Sequence, residues 1–185
     1  MVLIEPKRKK FCVAVITNIK YGDFFRFQFM DELSKYKQID YGGSYKNNIG
    51  GKTKNKIELL KSYKFSIAME NSNGDGYNSE KIFQSFISGT IPIYYGDDTV
   101  AELLNNRSYI HVRDEKDFDE KIELIKKIDN NDTLYQEIIR EKIVIDDTRY
   151  AKEVQKYKDF IYHIIEQDKE KAKRFKRRQD SFIKN

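Results

Sequence analysis

Short apolar runs alternate with longer amphipathic segments along most of the chain. Residues 11–17 (FCVAVIT) and 65–69 (FSIAM) are unbroken apolar runs of strand length, and residues 91–95 (IPIYY) and 109–112 (YIHV) repeat the pattern. Such runs predict strands covered on both faces, as in a parallel sheet. Between them the spacing becomes helical. Residues 23–36 place Phe25, Phe29, Leu33 and Tyr36 on one stripe, and residues 56–63 predict a short helix. Residues 79–88 predict a helix with Ile82, Phe83, Phe86 and Ile87 on one side and Gly89 as its stop. Residues 117–128 and 133–143 predict two amphipathic helices. Strand and helix in alternation predict an α/β fold, a Rossmann-like doubly wound, mostly parallel sheet over residues 11–148. Beyond it, Tyr150, Val154, Tyr157, Ile161 and Ile164 recur at spacings of four and three. Residues 149–185 therefore read as an amphipathic helix that fades into a basic tail.

Charge adds one correction to this picture. The 185 residues carry a net charge of +5, but residues 168–185 alone hold eight basic and three acidic side chains. The excess belongs to the tail, and the rest of the chain is neutral. A nucleic-acid partner is not expected, because such proteins carry their basic face on the folded domain. No run approaches the roughly 20 apolar residues of a membrane span. The single cysteine, Cys12, lies in an apolar run and reads as a small buried hydrophobe. The basic residues 7–10 lead into only a short apolar run, so no secretory leader is read and a cytoplasmic location is expected. There is no His/Cys cluster, so neither a metal nor another cofactor is expected. The two histidines, His111 in a strand and His163 on the tail helix, do not read as catalytic.

The chemistry concentrates in residues 64–96, KFSIAMENSNGDGYNSEKIFQSFISGTIPIYYG. This is strand, polar loop, helix, tight turn, strand. Ligands of open α/β sheets bind beyond the carboxyl ends of strands, where the loop of residues 70–78 lies. Gly74 and Gly76 permit close backbone approach, Ser79 reads as the helix N-cap, Lys81 adds a positive charge and Glu80 can accept hydrogen bonds from sugar hydroxyls. These residues suit a nucleoside diphosphate, and they equally suit an ordinary helix start.

The same residues resemble a family signature. E-N-S at 70–72, G-Y-x-S-E-K at 76–81 and G-T-I-P-I-Y-Y-G at 89–96 are similar to the donor-binding motifs of the α1,3/α1,4-fucosyltransferases, glycosyltransferase family 10. Ser79 stands where that family usually has Thr, and Tyr95 where it usually has Trp. Upstream segments at 26–29, 39–43 and 45–51 continue the resemblance, which covers about residues 11–144. It implies the C-terminal half of a GT-B enzyme that binds GDP-fucose without a metal. Arg26 and Lys81 would hold the pyrophosphate, Glu80 the ribose, and Asn71 and Tyr77 the nucleotide or the fucose. Glu70 is left between a structural carboxylate and a ligand contact, and Tyr77 between a ligand contact and an aromatic packed on the sheet.

Inverting fucosyl transfer also needs a general base, which the family carries on its N-terminal acceptor domain. The resemblance therefore implies no catalytic base within this chain, residues 1–10 as a linker from a missing acceptor domain, and a glycan acceptor met through that domain. The alternative is a stand-alone GDP-sugar-binding module without turnover. The basic tail, with Phe175, Phe182 and Ile183, is expected to make peripheral contact with the inner face of a membrane.

Overall fold

The structure is a computed structural model that describes residues 10–17, 24–74 and 76–168. Five strands form one sheet: β1 (Lys10–Ala14), β2 (Ile39–Tyr41), β3 (Tyr63–Met69), β4 (Ile91–Tyr95) and β5 (Ile110–His111). Their order is β2-β1-β3-β4-β5, and every neighbouring pair is parallel. The helices are α1 (Phe25–Tyr36), α2 (Lys56–Leu60), α3 (Lys81–Ile87), α4 (Phe118–Asp129) and α5 (Asp132–Ile139), followed by α6 (Asp147–Glu166). This is the Rossmann-like α/β sheet that the alternation predicts.

The apolar runs are unbroken because both faces of the sheet are covered. On β3, Phe65, Ile67 and Met69 enter the main core together with Ile91, Ile93 and Tyr95 of β4. That face packs on Phe25, Phe29, Met30 and Leu33 of α1 and on Phe118, Ile122 and Ile125 of α4. The alternate residues Ala68 and Tyr94 face the other way, into a smaller core with Ile82 of α3, Val100 and Leu104. Cys12 is buried, and burial raises its thiol pKa, as expected of a hydrophobe with no base to activate it.

Three elements differ from expectation. Strand β2 has no signature, because three residues with Asp40 in the middle give no apolar run. Helix α3 is shorter than residues 79–88: it starts at Lys81, with Glu80 at the N-cap position and no side-chain cap. Of its four apolar residues singled out above, Ile82 and the half-buried Phe86 turn inward, while Phe83 and Ile87 are exposed. Helix α5 stops at Ile139 rather than continuing to residue 143. The next residues leave the helix, and Val144 makes an isolated bridge to Leu104.

The described residues up to Ile145 form one compact unit, and those from Asp146 a second. In the second unit α6 is capped by Asp146, whose side chain accepts from the N–H of Thr148. Tyr157, Phe160, Tyr162, Ile164 and Ile165 on this helix are exposed. No helix among the described residues is long and apolar enough to cross a membrane. Of the linker expected at residues 1–10, residues 1–9 lie outside the described residues and Lys10 begins β1; the basic segment from Lys169 onward also lies outside them.

Candidate functional site

The chain goes from β1 to β2 on one side, then returns to place β3 on the other side of β1. Loops leaving the carboxyl ends of β1 and β3 therefore diverge, which opens a crevice at the point where the strand order reverses. A cleft of about 200 Å³ lies there. Its walls are Val15, Ile16 and Thr17 beyond β1 and Ile67 and Met69 of β3. Its polar lining is Arg26, Lys56, Asn71, Glu80 and Lys81.

Arg26 stands in the first turn of α1 between Phe25 and Phe27, both buried. It is itself only 2% exposed, and its guanidinium lies over the Phe27 ring with Cζ 4.7 Å from the centroid. Nη1 donates to Oδ1 of Asn71. An arginine enclosed in this way loses little further rotamer freedom when it engages an anion, so its fork is pre-set.

Lys81 opens α3, and its ammonium donates to Oε2 of Glu70. Glu70 is fully buried at the end of β3. Its other oxygen accepts the backbone N–H of Ser79 at 2.9 Å and the Ser79 hydroxyl at 2.6 Å. Glu70 is thus a structural carboxylate that ties the loop to Lys81. This corrects the N-cap reading of Ser79, whose hydroxyl serves Glu70 instead of a helix N–H. Gly96 is required beside it, since an added Cβ would stand 2.9 Å from Cγ of Glu70 and 2.6 Å from the Tyr94 hydroxyl.

Buried hydroxyls fix α3 to the sheet. Ser85 donates to the Lys81 carbonyl at 3.0 Å, and the hydroxyls of Ser66 and Ser85 lie 2.8 Å apart. Ser66 also meets the Thr90 hydroxyl at 2.7 Å, so the turn into β4 is held as well. The loop that follows β3 is tethered at its far end by Asp97, which accepts the N–H of Gly76 at 3.0 Å and both the N–H and hydroxyl of Thr99. Those bonds hold the Asp97 carboxyl below its ordinary pKa, with the Thr99 hydroxyl the largest cause.

Of the five residues singled out from the sequence, Arg26, Asn71, Glu80 and Lys81 line one cleft. Tyr77 does not line it, and its side chain is 45% exposed on the loop. The cleft adds Lys56, which carried no signal beyond a helix start. It is half-buried, and burial pushes its pKa below the ordinary lysine value. Lys81 lowers it further, while Glu80 and Glu70 oppose the shift. Among the described residues no group of three or more His, Cys, Asp or Glu is placed to hold a metal ion. His111 is buried beside Tyr94 and Tyr109, outside the cleft lining.

Comparison with known proteins gives one consistent picture. The family model described as glycosyltransferase family 10 (fucosyltransferase) C-term matches residues 5–178. An alpha-(1,3)-fucosyltransferase of Helicobacter pylori is 37% identical over 137 residues, which are 74% of this chain and 28% of that protein. A putative fucosyltransferase of Acanthamoeba polyphaga mimivirus is 37% identical over 154 residues, 77% of this chain and 25% of that one. The chain thus spans about a quarter of the length of these relatives. A crystal structure of an alpha1,3-fucosyltransferase with GDP-fucose superposes with a TM-score of 0.69 at 37% identity, over 74% of this chain and 40% of that one.

Proposed function

The chain belongs to glycosyltransferase family 10, the fucosyltransferases, and from that premise we propose that its cleft binds GDP-fucose as the donor for fucosyl transfer to a glycan. The observation that carries this reading is the meeting of Arg26, Asn71, Glu80 and Lys81 in one cleft at the reversal of strand order. Arg26 and Lys81 hold the diphosphate and Glu80 the ribose. Asn71, held by Arg26, faces the adjoining sugar, and Tyr77 approaches from the loop. The cleft volume of about 200 Å³ is below the ~300–1,000 Å³ of a whole ligand site, so we assign it the diphosphate and the sugar next to it.

The mechanism is metal-independent and inverting. As the glycosidic bond breaks, negative charge grows on the departing GDP, and preorganised cations stabilise it without reorganisation. Positive charge grows on the fucose, in an oxocarbenium-like transition state. The acceptor hydroxyl must lose a proton to a carboxylate. Glu70 is buried and committed to Ser79 and Lys81, and Glu80 is assigned to the ribose. Members of the family carry this carboxylate on an acceptor domain, and on that likeness we assign the general base and the acceptor site outside this chain's own residues. Peripheral contact of the basic tail with the inner membrane face belongs to the same reading. The donor reading is tested by melting the chain with GDP and GDP-fucose: a ligand that binds only the folded state raises Tm, by about 2.7 kcal/mol of added stability at 100 times Kd. No shift at millimolar GDP would overturn it.

A further inference from the structure

We propose that Lys56 is a third diphosphate-binding cation of this cleft, set in place by the loop between β2 and α2; the proposal rests on the donor-site reading above. That loop contains the sequence Y-K-N-N-I-G-G at residues 45–51, to which no role has so far been given.

The loop is built as a clamp. It first extends the end of β1: the N–H of Gly42 donates to the Ala14 carbonyl at 2.9 Å and that of Tyr45 to the Ile16 carbonyl at 3.1 Å. Gly43 is required there, since an added Cβ would fall 2.1 Å from the Ile16 carbonyl oxygen. The Asn48 side chain accepts from the Tyr41 N–H at 2.7 Å and donates to the Ile39 carbonyl at 2.9 Å. Asn47 donates to the carbonyls of Gly43 and Gly51 and accepts the Gly51 N–H. The Thr53 N–H then returns to the Gly42 carbonyl at 3.0 Å. Two residues later Asn55 caps α2 by accepting the Glu58 N–H, and Lys56 stands at the first helical position, on the cleft wall.

Three features of that position disfavour a positive charge. Lys56 is half-buried, it occupies the amino end of a helix, where the dipole repels cations, and it shares the cleft with Lys81. The other two cations already have protein partners: Arg26 donates to Asn71, and Lys81 donates to Glu70. The Lys56 ammonium has no hydrogen-bond or ion-pair acceptor among the described residues. An anion entering the cleft gains most from the charge that no hydrogen bond or ion pair already engages. A bound diphosphate would supply the acceptors that Lys56 lacks, whereas an uncharged sugar or nucleoside would not.

The test compares the full chain with Lys56→Met, which keeps the apolar stem, and Lys56→Arg, which keeps the charge. Each is titrated calorimetrically with GDP and with guanosine, and melted without ligand. The expected result is a loss of GDP affinity of about 10- to 100-fold in Lys56→Met, the scale of one charge-assisted bond. Guanosine affinity should be unchanged, Lys56→Arg should keep most of the GDP affinity, and ligand-free Lys56→Met should melt at or above the parent temperature. GDP binding by the parent with equal affinity in Lys56→Met would overturn this inference and leave the donor reading standing. Equal losses for GDP and guanosine would overturn it too, by making Lys56 a packing residue. A parent chain that binds no GDP would overturn the donor reading itself, and this inference with it.

Discussion

The Lys81 ammonium rests on the Glu70 carboxylate, which is buried at the end of β3 and also receives the N–H and hydroxyl of Ser79. One carboxylate therefore sets the direction of the cation and the path of the loop that carries it. The pairing is a cost in isolation, because Glu70 gives up all contact with water. It is offset by three donors that leave neither oxygen unsatisfied.

Glu70→Ala should accordingly lower stability by about 2–3 kcal/mol, toward the low end for a broken buried pair because the partly exposed Lys81 can turn to water. For a chain of this size that is a Tm drop of about 5–10 °C. A thermal melt decides it: an unchanged Tm would mean that Ser79 and Lys81 are held by other bonds.

Lys81→Met and Arg26→Met should each weaken GDP binding by about 1.5–3 kcal/mol if each makes a charge-assisted bond to phosphate. Guanosine binding should not change. Titrations belong well below the melting transition, since loss of Lys81 leaves Glu70 uncompensated and loss of Arg26 opens a hole over Phe27. Equal losses for both ligands would assign the two residues to the fold alone.

His111 predicts an acid limb in stability. Burial, then the charge of Arg113, push its pKa down to about 4, against the opposing pull of Asp98 and Asp117. Between about pH 6.5 and pH 4 the unfolded chain binds a proton that the folded chain refuses. Stability should therefore be full above that window and fall as the pH drops through it, by at most about 3.4 kcal/mol. His111→Asn should flatten this limb in urea melts taken across the window. An unchanged slope would mean that other groups set it.

Lys56 adds a pH effect on binding. Burial holds its pKa below the ordinary lysine value in the free chain, and a bound anion raises it, so binding takes up protons. GDP affinity should fall as the pH rises from the free-state pKa toward the bound-state value. The groups that act on Lys56 are Glu80 and Lys81 at the start of α3 and Glu70 at the end of β3, with Arg26 lining the same cleft. Lys56→Arg should remove the decline, because guanidinium does not titrate there. A decline that persists in Lys56→Arg would assign the effect to another group.

Most of the sheet was legible in the sequence because β1, β3 and β4 are covered on both faces and so read as unbroken apolar runs. Strand β2 was not, since it is a three-residue edge strand whose middle residue, Asp40, pairs with Lys10 and Tyr63 instead of packing. The site was legible where residues are adjacent in sequence, as in Glu80-Lys81, and where flanking phenylalanines marked Arg26. Ser79 misled because its capping chemistry is identical whether it serves a helix N–H or a buried carboxylate. Lys56 had no local signature: its place in the cleft is created by fourteen residues of loop hydrogen bonding from Gly42 to Asn55, which is a tertiary fact.

The central claim is most directly tested by calorimetric titration of the chain with GDP-fucose, GDP and a UDP-sugar under one set of conditions. The account predicts saturable 1:1 binding of GDP and GDP-fucose, a loss of about tenfold or more in Lys81→Met, and no comparable binding of the UDP-sugar. A folded chain that binds neither GDP nor GDP-fucose, or that binds the UDP-sugar equally well, would contradict it.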